Sequence, residues 1–283
     1  MKKIFLIITA LLFFCTLTYA GKVIVDKYGT GHKTIQEGIY FAKEYLNDTV
    51  IVYPGTYSEQ LTLNKNIVVQ GSGYENTIIV GSYDPILTME TGIIKWVTIT
   101  SLLGDGILLS GGTVANCVIN SCAKCGIKSL TGTAIVINCV LVKNGEFGVI
   151  AAQTGTSDGA YVINCIGYKN VGAAFVGVWY SYSKFGNMHV SNSYGSFQDV
   201  KTSNQNISGN DPAFISSSDF HIATSSPCKN LGNTSIFDPD GSISDMGYFG
   251  GTDCPIYPVV YEMIITPNGN NKINIQAKAR ANY

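Results

Sequence analysis

Two lysines hold matching places in a repeat. Lys143-Asn144 follows Asn138, and Lys169-Asn170 follows Asn164, each lysine five residues behind its asparagine. Side chains at equal offsets in a stacked repeat project from one ridge, and a ridge of ammonium groups suits a polymer that carries carboxylates. The same groups would serve as the base in β-elimination from a uronate, a step that also calls for carboxylates holding Ca²⁺. Ordinary solvated lysines at a corner are the alternative reading. Asp105, Asp158 and Asp199 stand alone along the coils, so no cluster of Asp for such a calcium ion appears there. His32, His189 and His221 are far apart and read as structural. Asp238, Asp240 and Asp245 surround Gly241 in the manner of an oxygen-ligand calcium loop, although the spacing is not that of an EF-hand. Calcium there would be a structural cofactor, and Asp is also favoured in such turns for its own hydrogen bonding. Trp179, Tyr180 and Tyr182 form an aromatic group able to stack on sugar rings, though β-propensity alone explains most of the chain's 17 tyrosines.

Those residues need a scaffold, and the scaffold is a repeat. Asn116-Cys117-Val118-Ile119, Asn138-Cys139-Val140-Leu141 and Asn164-Cys165-Ile166-Gly167 place the asparagines 22 and then 26 residues apart. A unit of that length, built of short Val, Ile, Thr and Tyr runs cut by Gly and Asn, is the mark of a β-solenoid. One Asn per coil predicts a ladder of amides at a corner, each bonding to the next. The adjoining cysteines would stack inward as small hydrophobes, in parallel and so badly disposed for disulfides. Cys122 and Cys125 form a CxxC with no second CxxC and no His nearby, which supports neither zinc nor redox chemistry. Cys228 and Cys254 are the pair open to a disulfide in an oxidising compartment.

Of the 283 residues 13% are charged and 46% hydrophobic, with 31 Gly and a net charge of −1. That composition argues against a basic nucleic-acid binder. Residues 1–20 read as a secretory signal peptide: Lys2-Lys3, an apolar run from Ile4 to Leu17, and Thr18-Tyr19-Ala20 as a small-x-small cleavage site. The expectation is a protein that is secreted or at the cell surface, with no integral membrane segment once the leader is removed. Thr34-Ile35-Gln36-Glu37 is a capping box, and Ile35, Ile39, Ala42 and Leu46 share one face, which predicts a single helix ending at Asn47-Asp48. An amphipathic helix before the repeats would cover the first open coil.

Several stretches carry a family likeness. Tyr28-Gly29-Thr30-Gly31, Thr34 to Gly38, Val50-Ile51-Val52-Tyr53-Pro54-Gly55-Thr56-Tyr57-Ser58-Glu59 and Ile67 to Gly73 resemble the N-terminal cap and first coils of the pectin lyase-like superfamily, nearest to pectin methylesterases. The resemblance implies a right-handed parallel β-helix over residues 21–254. It also implies a pair of Asp, an orienting Arg and Gln side chains for esterase chemistry. Phe197-Gln198-Asp199 resembles the Gln-Asp segment, but the second Asp segment is missing and the only Arg is Arg280. Asp211-Pro212-Ala213-Phe214, Asp219-Phe220-His221, Ser226 to Gly232, Asp238 to Gly241 and Asp245 to Gly251 resemble the closing coil of secreted bacterial β-helix proteins, which implies the end of the solenoid. Residues 255–283 read as a linker and a β-hairpin, Val259 to Thr266 and Ile273 to Ala281, like the opening of an immunoglobulin-like or sorting domain. The functional expectation is a protein that binds or acts on extracellular polysaccharide without the esterase set. The alternative is a lyase acting on a uronan, with Lys143, Lys169 and Asp199 as catalytic candidates.

Overall fold

The computed structural model describes residues 20–131, 133–151, 160–176, 189–191, 197–198, 201–203, 206–207, 211–255, 258–267 and 273–281. Three parallel sheets of nine, seven and six strands are wound by one chain that visits them in turn. Among the described residues the shortest sheet takes one strand from each of six successive windings. The first sheet includes Ile93–Lys95, Thr113–Ala115, Ile135–Ile137 and Tyr161–Ile163. The second includes Thr98–Ser101, Val118–Asn120, Val140–Val142 and Ile166–Tyr168, and the third Ile107–Leu109, Ile127–Ser129 and Val149–Ala151. Register is strict: Val118 pairs with Val140 and Val140 with Ile166. This is the expected parallel β-helix.

Alternation explains two of the sheets. In the first and third, one residue in two is buried and its neighbour half-exposed, as for a strand with one wet face. Cys117, Cys139 and Cys165 stack in the interior as expected, all fully buried. The Cys139 thiol lies 3.4 Å from the Val114 carbonyl one coil below, and the Cys165 thiol lies 3.4 Å from that of Val136. These contacts give each buried sulfur a partner without a disulfide.

The second sheet breaks the alternation, and the reason is a cover. Val140–Val142 is buried at all three positions, and Val118 and Ile166 are buried although they face away from the interior. Their outer partners are Tyr74, Phe220, Cys228, Met246, Tyr248 and Phe249. The block at 211–255 therefore does not close the end of the solenoid, as its likeness to a closing coil implied. It runs back along the outside of the second sheet as a strap. Burying each Val or Ile of that face contributes roughly 1.5–3 kcal/mol, so strap and sheet need one another.

The asparagines hold the strap, which corrects the expected ladder. Asn116, Asn138 and Asn164 have positive φ of 45°, 50° and 54°, a region that Asn tolerates better than other side chains. Their amides turn outward to the strap instead of up the stack. Asn116 Nδ2 donates to the carbonyls of Tyr248 (2.7 Å) and Gly250 (2.8 Å). Asn138 Nδ2 lies 3.2 Å from the Asp245 carbonyl and 3.3 Å from Ser244 Oγ, and Asn164 Oδ1 accepts from the Asn233 N–H at 2.8 Å. Trp96, the equivalent corner one coil earlier, donates from Nε1 to the Asp253 carbonyl. An amide ladder does exist at the next corner, where Asn144 Nδ2 donates to Asn170 Oδ1 at 2.9 Å and Asn144 Oδ1 accepts from the Cys122 N–H.

The cap helix is shorter than its periodicity predicts. It spans Ile35–Phe41 with the capping box formed, and Glu44–Leu46 follows as a separate 3₁₀ turn. Lys65 Nζ takes the carbonyls of Ile39, Tyr40 and Ala42, and Asp48 accepts from the N–H groups of Lys43 and Gly21. Those partners replace the next helical turn. Gly38 permits the docking, since a Cβ there would lie 2.5 Å from Val25 Cγ2. Cys228 and Cys254 form no disulfide. Both thiols are buried, and burial pushes each up to about 12. The hairpin is present as Pro258–Pro267 paired antiparallel with Ile273–Ala281.

Candidate ligand pocket

Three successive coils turn from the second to the third sheet through a residue of positive φ: Ser121 (55°), Lys143 (56°) and Lys169 (52°). A lysine in this region carries a steric penalty of about 1 kcal/mol that Gly or Asn avoids. The Asn144–Asn170 ladder pins the residue after each lysine. The two lysines therefore leave the same ridge from adjacent coils, as their spacing predicts.

The ridge is one wall of a cavity of about 190 Å³ whose opposite wall is the strap. Val142, Lys143, Tyr168 and Lys169 face Asp211, Phe214, Ser216, Ser217 and Phe220. Lys143 Nζ donates to the Ser217 carbonyl at 3.1 Å. Lys169 Nζ lies 4.9 Å from the centre of the Tyr168 ring, and among the described residues no oxygen accepts a hydrogen bond from it. Tyr168, Phe214 and Phe220 form a chain of edge contacts at 5.9 and 5.3 Å, anchored by Tyr74, whose hydroxyl accepts from the Phe220 N–H at 3.3 Å. Burial raises the Tyr74 phenol well above its ordinary value, which keeps it a neutral partner. One unspent cation, a second lysine and aromatic faces can hold a carboxylate on a ring whose apolar face needs a surface.

The remaining site expectations fare differently. Asp199, Trp179, Tyr180 and Tyr182 lie outside the residues whose side chains are described. Asp238, Asp240 and Asp245, the expected calcium loop, take part in hydrogen bonds of the strap itself. Asp238 accepts the Gly251 and Asp245 N–H groups, Asp240 accepts from Ser242, and Asp245 accepts from the Asn230 N–H. Asp238 and Asp245 thereby tie parts of the strap together, Asp240 bonds within its own turn, and no cluster of three ligating side chains occurs among the described residues. Burial pushes Asp238 up to about 6. The CxxC is split: Cys122 points into the core, and the Cys125 thiol donates to Glu146 Oε2 at 3.3 Å. Burial pushes both thiols up to about 12, far from the thiolate that redox or metal chemistry needs.

Sequence reasoning missed the strap side of the pocket, namely Asp211, Phe214, Ser217 and Phe220. A usable signal was present. The strings Val140-Leu141-Val142 and Cys165-Ile166 are apolar at consecutive positions, the mark of a strand buried on both faces.

The strand order and register define a parallel β-helix protein, the fold that the pectin lyase-like likeness implies. No family model and no curated protein matches the chain. Among solved structures it is similar to a mannuronic acid specific polysaccharide family 6 lyase from human gut microbiota. That match has 13% identity over 57% of this chain and 47% of the lyase, with a TM-score of 0.43, so the chain spans about half the lyase's length. It is also similar to an alginate lyase from Paenibacillus sp. (15% identity, 67% of this chain, 74% of that one, TM-score 0.48). A third is pectin methylesterase from Erwinia chrysanthemi (12% identity, 73% and 93%, TM-score 0.42). At these identities the likeness is one of fold.

Proposed function

We propose that this protein is exported by its apolar leader and binds an acidic extracellular polysaccharide at the pocket between the Lys143–Lys169 ridge and the strap. The observation that carries the reading is the pairing of two lysines from adjacent coils, both on strained corners, in one cavity with an aromatic wall. Backbone strain kept at a ligand-facing corner is characteristic of sites selected for something other than stability. The structural neighbours named as uronan-active enzymes agree with a polysaccharide ligand without carrying the reading.

The test compares wild type with Lys143→Asn and Lys169→Asn by calorimetric titration with polygalacturonate and alginate. Asn relieves the corner, so both variants hold or gain thermal stability. Loss of one close charge–carboxylate contact lowers affinity about tenfold, on the order of 1.4 kcal/mol. Wild-type affinity falls as salt rises through the Debye range. Unchanged affinity in the double variant refutes the pocket. Accumulation of unsaturated uronate products in the same mixtures, abolished by either substitution, would instead establish the lyase reading.

A further inference from the structure

A second cavity lies on the other flank of the same corner. It measures about 460 Å³ and has Leu108, Lys128 and Ile150 as its floor, three side chains in register on the third sheet. Asp84, Asp105, Lys124, Cys125 and Glu146 form its walls. Asp84 and Lys124 are closed on each other at 2.5 Å. Asp105 is more than nine-tenths buried yet lines the cavity, and only its Oδ1 is engaged, by the Cys125 N–H at 3.0 Å. Glu146 meets the Cys125 thiol with Oε2 alone. Among the described residues nothing donates to the other two carboxylate oxygens, and Lys128 Nζ has no acceptor. The cavity thus offers two free acceptors, one free ammonium donor and an aliphatic floor.

That donor set is the converse of the lysine pocket. A uronate placed here would face Asp105 and Glu146, like charge against like. An N-acetylhexosamine fits each feature: its N–H and hydroxyls donate to the carboxylates, its acetyl oxygen accepts from Lys128, and its methyl rests on Leu108 and Ile150. Lys143 and Glu146 are three residues apart, at most about 11 Å between their Cα atoms, which sets the two cavities on either flank of one corner. We infer that the two cavities are adjacent subsites of opposite preference, and that the ligand is a heteropolysaccharide in which a uronate alternates with an N-acetylhexosamine. This inference rests on the lysine pocket being a uronate site.

Calorimetric titrations with unsulfated chondroitin, an alternating polymer, and with polygalacturonate, a uniform uronan, separate the two claims. Wild type is expected to prefer chondroitin at least tenfold. Glu146→Ala and Lys128→Ala, at exposed and half-exposed positions that should not disturb folding, bring that ratio to about one. Lys143→Asn with Lys169→Asn weakens both polymers. Equal wild-type affinities, or a ratio untouched by Glu146→Ala and Lys128→Ala, overturn the second subsite while leaving the lysine pocket standing. Binding of neither polymer, or binding indifferent to the lysines, overturns the pocket and this inference with it.

Discussion

Asn138→Ala tests how the strap is held. Asn138 is 2% exposed, has a φ of 50°, and aims its amide at the Asp245 carbonyl (3.2 Å), Ser244 Oγ (3.3 Å) and the Gly247 carbonyl (3.4 Å). Two costs follow from truncation. Alanine in the left-handed region loses about 1 kcal/mol, and leaving buried strap acceptors without their donor costs roughly 1–3 kcal/mol. The expected loss is about 2–4 kcal/mol. Asn138→Gly removes the first cost and keeps the second, so it should be the more stable of the two by a fraction of a kcal/mol after its own entropy is counted. Asn138→Asp is expected to be the worst, because it sets a buried carboxylate against three oxygens with no proton to offer. Urea unfolding ranks the three, and hydrogen exchange localises the damage: amides of Met246 to Gly250 should lose protection before those of Val118–Asn120. An Asp variant as stable as wild type would refute the geometry of the strap. So would an Ala variant clearly more stable than Gly.

Two further predictions concern the same assembly. Val140→Asp places a charge on the outward face of the second sheet and is expected to cost at least about 3 kcal/mol, because the strap leaves no water there. Ile137→Asp, half-exposed on the outer face of the first sheet, should cost about 1 kcal/mol or less; equal effects would mean that the second sheet is not covered. Asp238 should also leave a signature in pH. Its folded value is raised from 3.8 to about 6 by burial, so the folded state binds more protons than the unfolded chain between those values. Its contribution is greatest below the unfolded value and is lost as pH rises through about 6, by up to about 3 kcal/mol. Burial also raises Asp245 and Glu59, so part of the slope stays when Asp238 is removed. Thermal unfolding between pH 4 and 7.5 should show a steeper fall in wild type than in Asp238→Asn, and identical slopes would contradict it.

The coils were legible because their cause is local. Asn-Cys recurring at 22 and 26 residues needs only one Asn per corner and one small side chain per floor, and the structure has both. The capping box at Thr34 and Glu37 is legible for the same reason, whereas the helix end is not, because Lys65 arrives from a later coil to take its carbonyls. The asparagine bonds were misread on physical grounds. A buried amide in the left-handed region needs a partner, but nothing near it in sequence distinguishes the coil above from a segment some hundred residues later. Asn116, meeting Tyr248 and Gly250, is an example. The pocket followed the same division. Lys143 and Lys169 could be placed on one ridge from their offsets, while Ser217, 74 residues beyond Lys143, could not be placed opposite them. What could have joined the halves is the second sheet, whose outward Val118, Val140 and Ile166 demand a cover. The only long stretch after the coils rich in Phe, Tyr and Met is the one that supplies it. A strand that is apolar on both faces therefore locates the strap, and the strap locates the far wall of the site.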